Sequence, residues 1–310
     1  MLPNFKEFLL YLEKKDYSIQ TIHSYERDLN TFENFLEEDI KIGFDQLNKR
    51  HIIKFQTYLS SASRQTAAHE QGEKKLSSQS INRMLSSLRS YIKFLIDVNY
   101  KSPIDSDSIK LLKIEKEYGQ VPEMPDLIRL IECPTKFETD LTIKLRNRAM
   151  LETLFSTGMR ISELLSLKRE QLDNTGRIYV MGKGKKQRFV YLTPRAIKHI
   201  KDYLLTRHDQ APYLFIPYRG LNNADKNKKI STNYLQAKIK KYRELLSINI
   251  PISAHSIRHS FATYLAENGA NPAAIQILLG HESLDTTTRY VHTSDRYAEK
   301  MHTDFYPLKK

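Results

Sequence analysis

The sequence predicts a mainly helical, two-domain protein with one small β-hairpin, an α+β fold. Apolar residues recur three and four positions apart through much of the chain, as they do along one face of an amphipathic helix. Residues 177–180 and 189–192 are rich in β-formers and flank a turn bracketed by two glycines, which predicts the hairpin. A chain of 310 residues also fits two domains more comfortably than one.

The first domain is predicted to span residues 1–116 and to form a bundle of four amphipathic helices. Ser18, Asn48 and Ser80 precede apolar stripes and are candidate N-caps of the second, third and fourth helices. Between the third and fourth helices, residues 60–79 are rich in Ser, Ala, Gln and Lys, which is typical of an exposed loop.

The second domain is predicted to span residues 126–310, after a linker at 117–125 that contains one glycine and two prolines. Short helices are expected over 127–131, 145–155 and 161–167. Beyond the hairpin, further helices are expected to start at Ala196, Thr232, Ser256, Pro272 and Ser283.

The net charge of +13 points to a polyanionic partner, with simple solubility as the alternative. Residues 1–120 hold 18 basic and 17 acidic side chains, whereas residues 121–310 hold 31 and 19, so the excess lies in the second domain.

No stretch approaches the roughly 20 apolar residues of a membrane span, and no apolar signal segment opens the chain. One cysteine, Cys133, makes neither an internal disulfide nor a cysteine zinc site. These features predict a cytoplasmic protein without a membrane anchor.

Basic residues follow two glycine turns of the second domain. Arg160 comes directly after Gly158 at the mouth of a predicted helix, where its guanidinium suits phosphate oxygens; the alternative is a surface ion pair with Glu163. The hairpin turn holds four cations in seven residues, which suits a phosphate backbone or, alternatively, a solubilising turn. Those cations are Lys183, Lys185, Lys186 and Arg188.

A second group of candidates lies near the end of the chain. His255 and Arg258 share one helical face, so that an imidazole and a guanidinium can converge on a small anion. Zinc binding by His255 and His259 is disfavoured, because the glutamate base and third ligand of that motif are missing. Gly280 is a predicted helix C-cap that places His281 just outside the helix, and Tyr290 follows nine residues later.

Other basic and polar residues are candidate DNA contacts or, equally, parts of a solvated surface. The polar side of the fourth helix carries bases and no acids, and residues 232–233 can open a helix onto DNA. The candidates are Arg83, Arg89, Lys93, Arg148, Thr232, Asn233, Lys240 and Lys241.

Taken together, these motifs resemble those of the tyrosine recombinases of the phage integrase family, in particular the Xer-like members. The resemblance is carried by residues 157–164, by Gly182-Lys183-Gly184, by residues 255–259 and by the segment from Leu279 to Tyr290. It implies a two-domain DNA clamp, with a helical, SAM-like core-binding domain and a catalytic domain. The segment 60–79 departs from the family in looking longer than the usual connection.

The resemblance also implies the chemical roles of six residues. Tyr290 is expected to attack a DNA phosphodiester and form a 3′-phosphotyrosyl link, while Arg160 and Arg258 hold the non-bridging oxygens. His255 is expected to accept the phenol proton, Lys183 to protonate the leaving 5′ oxygen, and His281 to hydrogen-bond the phosphate. Glu163 is expected to hold the cations in place. No metal or other cofactor is implied, so activity is expected to persist in a chelator.

The implied partners are double-stranded DNA with two half-sites and further subunits of a tetramer, with the C-terminal tail docked on a neighbour. The most favoured function is resolution of chromosome or plasmid dimers, and integration of a mobile element is the alternative within the family. A type IB topoisomerase-like enzyme and a catalytically silent DNA-binding paralogue are the alternatives outside it.

Overall fold

The computed structural model describes residues 1–61, 75–114, 121–173, 175–182, 187–219 and 229–280. Over these residues the protein is mostly helical with one two-stranded antiparallel sheet, which confirms the predicted α+β class. The chain divides into two units, Met1–Glu117 and Tyr118–Lys310. Among the described helices, none combines the length and the apolar character that a membrane crossing requires.

The first unit is a helical bundle around an aromatic core. Phe32 lies edge-on to Phe55, with their ring centroids 4.8 Å apart, and Phe8 lies edge-on to Tyr91 at 5.3 Å. All four side chains are almost fully buried. The helices are α1 (Phe5–Lys14), α2 (Ile19–Asn34, continued by a π-helical turn at Phe35–Asp39), α3 (Lys49–Ser60) and α4 (Ser78–Asp97), with 3₁₀ turns at Phe44–Gln46 and Ser106–Ser108.

Two of the three predicted N-caps in this unit are confirmed. The side chains of Ser18 and Asn48 accept hydrogen bonds from backbone N–H groups in the first turns of α2 and α3. The fourth helix begins earlier than predicted, since Ser77 rather than Ser80 is its N-cap. The Ser77 hydroxyl accepts the N–H of Ser80 at 3.2 Å, so Ser80 already belongs to the first turn.

The second unit is built around a central helix that is buried on nearly every side. Its elements are α5 (Met124–Phe137), α6 (Leu141–Thr157), α7 (Ile161–Leu164), a 3₁₀ turn (Arg169–Gln171), β1 (Arg177–Met181), β2 (Gln187–Tyr191), α8 (Pro194–Leu204), α9 (Thr232–Leu245), α10 (Ala254–Glu267) and α11 (Pro272–Leu279). Helix α6 packs against α5, α8 and α10. Its polar residues are buried together with its apolar ones, so no amphipathic stripe marks its full length in the sequence.

Several helix boundaries of this unit differ from those predicted. Helix α5 begins at Met124, inside the predicted linker, because a proline is tolerated in the first turn of a helix. Helix α7 ends at Leu164 rather than at residue 167. Helix α10 begins at Ala254, with Ser253 as its N-cap, rather than at Ser256. The helix predicted from Ser283 lies outside the described residues.

The hairpin pairs β1 with β2 in an antiparallel register that separates its two faces. Ile178 pairs with Val190 on the buried face, while Tyr179 pairs with Phe189 on the exposed one. This alternation places every second residue of the strands against α6 and the rest of the core. Because Arg188 shares the parity of Val190, its side chain is directed inward.

Candidate active site

The carboxylate of Glu163 is the centre of the cluster that holds the predicted catalytic arginines. Glu163 is only 8% exposed. Its Oε2 accepts the backbone N–H of Arg160 at 2.8 Å, and its Oε1 accepts the Arg160 guanidinium at 3.0 Å. Arg188 adds a two-pronged contact, from Nη1 to Oε1 at 2.9 Å and from Nη2 to Oε2 at 2.6 Å. Four donors thus fix one carboxylate.

The pKa of the Glu163 carboxyl group lies below its usual range. Burial by itself opposes ionisation, but the hydrogen bonds and positive charges of Arg188 and Arg160 outweigh it. The group is therefore an anion at neutral pH, and it can hold both guanidiniums.

The C-terminal end of α11 supplies a second set of acceptors for the same arginines. Carbonyl oxygens at a helix C-terminus have no N–H partner within the helix. The oxygen of Leu278 accepts Arg188 Nε at 2.8 Å, that of Leu279 accepts Arg258 Nη2 at 2.6 Å, and that of Gly280 accepts Arg160 Nη2 at 3.4 Å. Three arginines from three elements therefore converge on one helix end.

The close approach at this helix end requires glycine. Gly280 ends α11 in the left-handed region, with φ +65°, as predicted for a C-cap. A Cβ added at this position would lie 2.9 Å from Cδ of Arg188. Gly158 ends α6 in the same way, with φ +60°, and its added Cβ would lie 2.3 Å from the ring of Phe261. Both turns that flank the arginine cluster are thus fixed by glycine.

Arg258 and Arg160 differ in how their guanidiniums are held. Arg258, on α10, is 3% exposed and donates to the carbonyl oxygens of Gly158 at 2.8 Å and Leu279 at 2.6 Å. Both acceptors are backbone carbonyl oxygens, which carry no net charge. The side chain of Arg160 is 34% exposed and presents its cation to solvent beside the cluster. Two guanidiniums at one place are suited to the oxygens of a phosphate.

His255 lies in the first turn of α10, open to solvent, and is paired with His259 one turn further on. The two Nε2 atoms are 2.9 Å apart and the rings meet edge-on. Partial desolvation of the imidazole, followed by the positive charges of Arg258 and Arg160, holds the pKa of His255 below its ordinary value. A neutral imidazole next to two guanidiniums can accept a proton. His259 was missed as its partner, although the spacing of four residues signals it.

Among the described residues, no group of three or more His, Cys, Asp or Glu side chains is placed to hold a metal ion.

The structure therefore brings three of the predicted site residues together at the end of α11: Arg160, Glu163 and Arg258. His255 lies on the same helix as Arg258, within electrostatic reach of Arg258 and Arg160. The other predicted catalytic residues and two predicted DNA contacts lie outside the described residues. They are Lys183, His281, Tyr290, Lys185 and Lys186.

Two of the predicted DNA contacts, Arg148 and Arg188, are buried and paired with carboxylates. Arg148 is 6% exposed and forms an ion pair of 2.7 Å with Glu152, one turn along α6, and a longer one with Glu132. Arg148 is therefore a core residue, and it shares the buried carboxylate of Glu152 with Arg195. Arg188 is likewise buried, and its guanidinium ends on Glu163 rather than on a phosphate.

The candidate DNA contacts on α4 differ in whether they also bind another part of the bundle. Arg83 donates to the buried Asp28 at 2.6 Å, although about half of its side chain remains exposed. Arg89 lies 3.4 Å from the exposed carboxylate of Asp107. Lys93 is exposed. Arg83 thus helps to hold the bundle together, and all three stay predictions as DNA contacts.

The candidates on α9 lie on its exposed side. Thr232 and Asn233 follow the N-cap Ser231 and are exposed, and so are Lys240 and Lys241 further along the helix. Lys240 lies at the limit of an ion pair with Glu244, at 4.0 Å. Their contacts with DNA stay predictions.

A buried polar network fixes α9 to the central helix. Arg146, which is 2% exposed, donates to the carbonyl oxygen of Ile216 at 2.7 Å and to the hydroxyl of Tyr234. The amide of Asn147 donates to the hydroxyl of Tyr242 at 2.8 Å. A cleft of about 390 Å³ opens beside Arg146 and Tyr234. Helix α9 is therefore held in place by these contacts, which no local sequence pattern revealed.

Comparison with known proteins identifies the family. Residues 126–296 match the phage integrase family, and residues 5–99 match the phage integrase N-terminal SAM-like domain. Tyrosine recombinase XerD of Staphylococcus epidermidis is 33% identical over 314 residues, which covers 97% of this chain and 98% of that protein. Tyrosine recombinase XerC of Natranaerobius thermophilus is 32% identical over 310 residues, covering 97% of each chain.

Solved structures show the same fold. XerH bound to its palindromic difH substrate, in a post-cleavage complex, has a TM-score of 0.70 at 22% identity and covers 96% of this chain and 85% of that one. A lambda integrase dimer bound to a COC′ core site has a TM-score of 0.68 at 13% identity, with 92% and 93% covered. The chain belongs to the phage integrase family, the tyrosine recombinases that cleave and rejoin DNA.

The lowered pKa of His255 predicts how DNA cleavage depends on pH. The resemblance assigns His255 as the acceptor of the phenol proton. Protonation of His255 would remove the lone pair needed for that role, so the rate should fall as pH drops through its folded-state pKa. Because that pKa is lowered, the midpoint should lie below the ordinary imidazole value of about 6.5. Single-turnover cleavage rates between pH 5 and 8 measure it.

The matched control for this profile is His208→Gln, which removes an exposed imidazole elsewhere in the same unit. It should leave the midpoint unchanged, whereas His255→Gln should remove the acid limb. An acid midpoint at or above 6.5, or an acid limb that survives in His255→Gln, contradicts the assignment.

Proposed function

We propose that this chain is an Xer-type site-specific recombinase that resolves dimers of chromosomes or plasmids by cleaving and rejoining DNA strands through Tyr290. The observation that carries the chemistry is the convergence of Arg160 and Arg258 on one helix end, beside a neutral His255. Similarity over the whole chain to XerD and XerC proteins supports the biological role.

The arginines act on the phosphate. When the tyrosine attacks, negative charge and crowding increase on the non-bridging oxygens of the scissile phosphodiester. Guanidiniums held in advance at that place stabilise the transition state without reorganising. Arg258 is fixed by two backbone carbonyls and Arg160 by Glu163, so neither has to be ordered during the reaction.

The proton balance involves His255, Tyr290 and Lys183. The phenol oxygen of Tyr290 forms a bond to phosphorus while its proton passes to the neutral imidazole of His255, since a phenol with a pKa of about 10 is a poor nucleophile at neutral pH. The bond from phosphorus to the 5′ oxygen breaks, and Lys183 protonates that oxygen. His281 donates a hydrogen bond to the phosphate. The 3′-phosphotyrosyl ester keeps the energy of the broken bond, so rejoining needs no ATP.

The partners follow from the same proposal. The substrate is double-stranded DNA that carries two half-sites, and four subunits hold two duplexes in the synaptic complex. The basic excess of the second unit and the DNA-bound recombinases of the same fold support DNA as the partner. Integration of a mobile element uses the same chemistry, and the sequence of the recovered target site separates that role from dimer resolution.

Covalent capture tests the reaction. The protein is mixed with fragmented genomic DNA of its host in EDTA and denatured, and the covalently bound DNA is sequenced. Adducts at one sequence are expected from the wild type and none from Tyr290→Phe, which keeps the ring and loses the nucleophile. EDTA should not reduce the yield, because the residues assigned here use no metal.

The other results of this capture have definite meanings. Adducts scattered over the genome indicate a topoisomerase-like enzyme. The same adducts from Tyr290→Phe contradict the assigned nucleophile, and tight binding with no adduct indicates a DNA-binding paralogue.

Deletion of the C-terminal tail tests whether subunits assemble through it. We propose that the apolar residues near the C-terminus, Phe305, Tyr306 and Leu308, dock on a neighbouring subunit. Deleting residues 304–310 should leave cleavage of a single duplex intact and abolish the pairing of two duplexes, as measured by gel shift. Pairing at the wild-type level after the deletion contradicts the docking.

A further inference from the structure

We propose that Arg188 is a positioning residue that keeps the positive charge of Arg160 available to the scissile phosphate, by balancing the charge of Glu163. The inference deepens the proposed function and rests on it. Arg188 lies on β2, one residue into the strand, and its side chain points into the cluster at the end of α11.

The side chain of Arg188 is buried and cannot itself reach DNA. Its side chain is 6% exposed, and each of its three guanidinium nitrogens has an acceptor. Nε donates to the carbonyl oxygen of Leu278, while Nη1 and Nη2 donate to the two oxygens of Glu163. A guanidinium with this burial and these partners acts on its neighbours, and not on a phosphate.

The charge balance of the cluster depends on Arg188. If Glu163 were paired with Arg160 alone, the two side chains would form a neutral pair. The carboxylate would then already balance the positive charge of Arg160 before a phosphate binds. With Arg188 on the same carboxylate, two guanidiniums share one anion and the net charge is +1. Arg160 is the exposed member of this trio, so the uncompensated charge faces the solvent side.

Arg188 also joins the elements that carry the chemistry. It ties β2 to α7 through Glu163 and to the last turn of α11 through Leu278. Arg160 directly precedes α7, and Arg258 is bound to the residue next to Leu278. Without Arg188, the guanidinium of Arg160 would lose its fixed position, and its charge would be balanced by Glu163 alone.

The test uses cleavage of a duplex that carries the recovered target site with either a normal phosphodiester or a methylphosphonate at the scissile position. Methylphosphonate replaces one charged oxygen with a methyl group, so it needs less cationic stabilisation. Wild type, Arg188→Met, Glu163→Gln and the double variant are compared in single-turnover assays. Arg177→Met, which removes an exposed arginine at the far end of the same hairpin, is the matched control.

We expect Arg188→Met to cleave the phosphodiester about 10-fold to 100-fold more slowly, in the range typical of residues that support a catalytic group. DNA affinity should stay at the wild-type level. The deficit should shrink on the methylphosphonate, and the double variant should recover part of the rate, because removing the anion restores the +1 charge. Arg177→Met should match the wild type on both substrates.

Arg188→Lys guards against a folding defect, with thermal unfolding measured for every variant. Arg188→Lys keeps the positive charge but loses the two-pronged contact of the guanidinium with Glu163. It should cleave faster than Arg188→Met, and its deficit should be similar on the phosphodiester and the methylphosphonate. Equal deficits of Arg188→Met on both substrates, or wild-type rates, overturn the inference. If Arg188→Met does not fold, Arg188→Gln, which also removes the charge, takes its place, and equal deficits of that variant on both substrates overturn the inference. A wild type that forms no adduct contradicts the proposed function itself, and the inference with it.

Discussion

The carbonyl oxygens in the last turn of α11 have no N–H partner within the helix. Arginine side chains donate hydrogen bonds to these oxygens, and this interaction organises the proposed active site. A buried carbonyl without a donor costs free energy comparable to a lost hydrogen bond. Here the donors are Arg160, Arg188 and Arg258, which come from three separate elements. The donors that one helix end requires are thereby the guanidiniums that the proposed mechanism places on the phosphate.

The charge of the second unit has two different sources. Among the described residues, five arginines are less than 10% exposed: Arg146, Arg148, Arg188, Arg207 and Arg258. Arg148, Arg188 and Arg207 are paired with carboxylates. Arg146 and Arg258 donate to the backbone carbonyl oxygens of residues far away in the chain. Part of the basic excess therefore lies in the interior of the second unit. A count of basic residues in the sequence thus overestimates how many of them are available on the surface for DNA.

Local patterns predict the element types and the separate anion-binding motifs around Arg160 and Arg258, but neither the meeting of these motifs at α11 nor the interior of the second unit. Amphipathic stripes and caps revealed α2 and α3, because each depends on residues within one turn. The motifs around Arg160 and Arg258 indicated a phosphate site for the same reason. The sequence predicts Arg188 as a DNA contact and does not reveal its buried partners, because these are 25 and 90 residues away in the chain. An arginine looks the same in a sequence whether its guanidinium meets a carboxylate or solvent.

The most direct test of this organisation is a structure of the Tyr290→Phe protein bound to a duplex with its target site, in which the scissile bond stays intact. We expect Arg160 and Arg258 to contact the non-bridging oxygens of a single phosphate, while Glu163 still accepts from both Arg160 and Arg188. A phosphate held elsewhere, or a Glu163 carboxylate that has left Arg188 in the complex, would contradict the assignment of the end of α11 as the phosphate site.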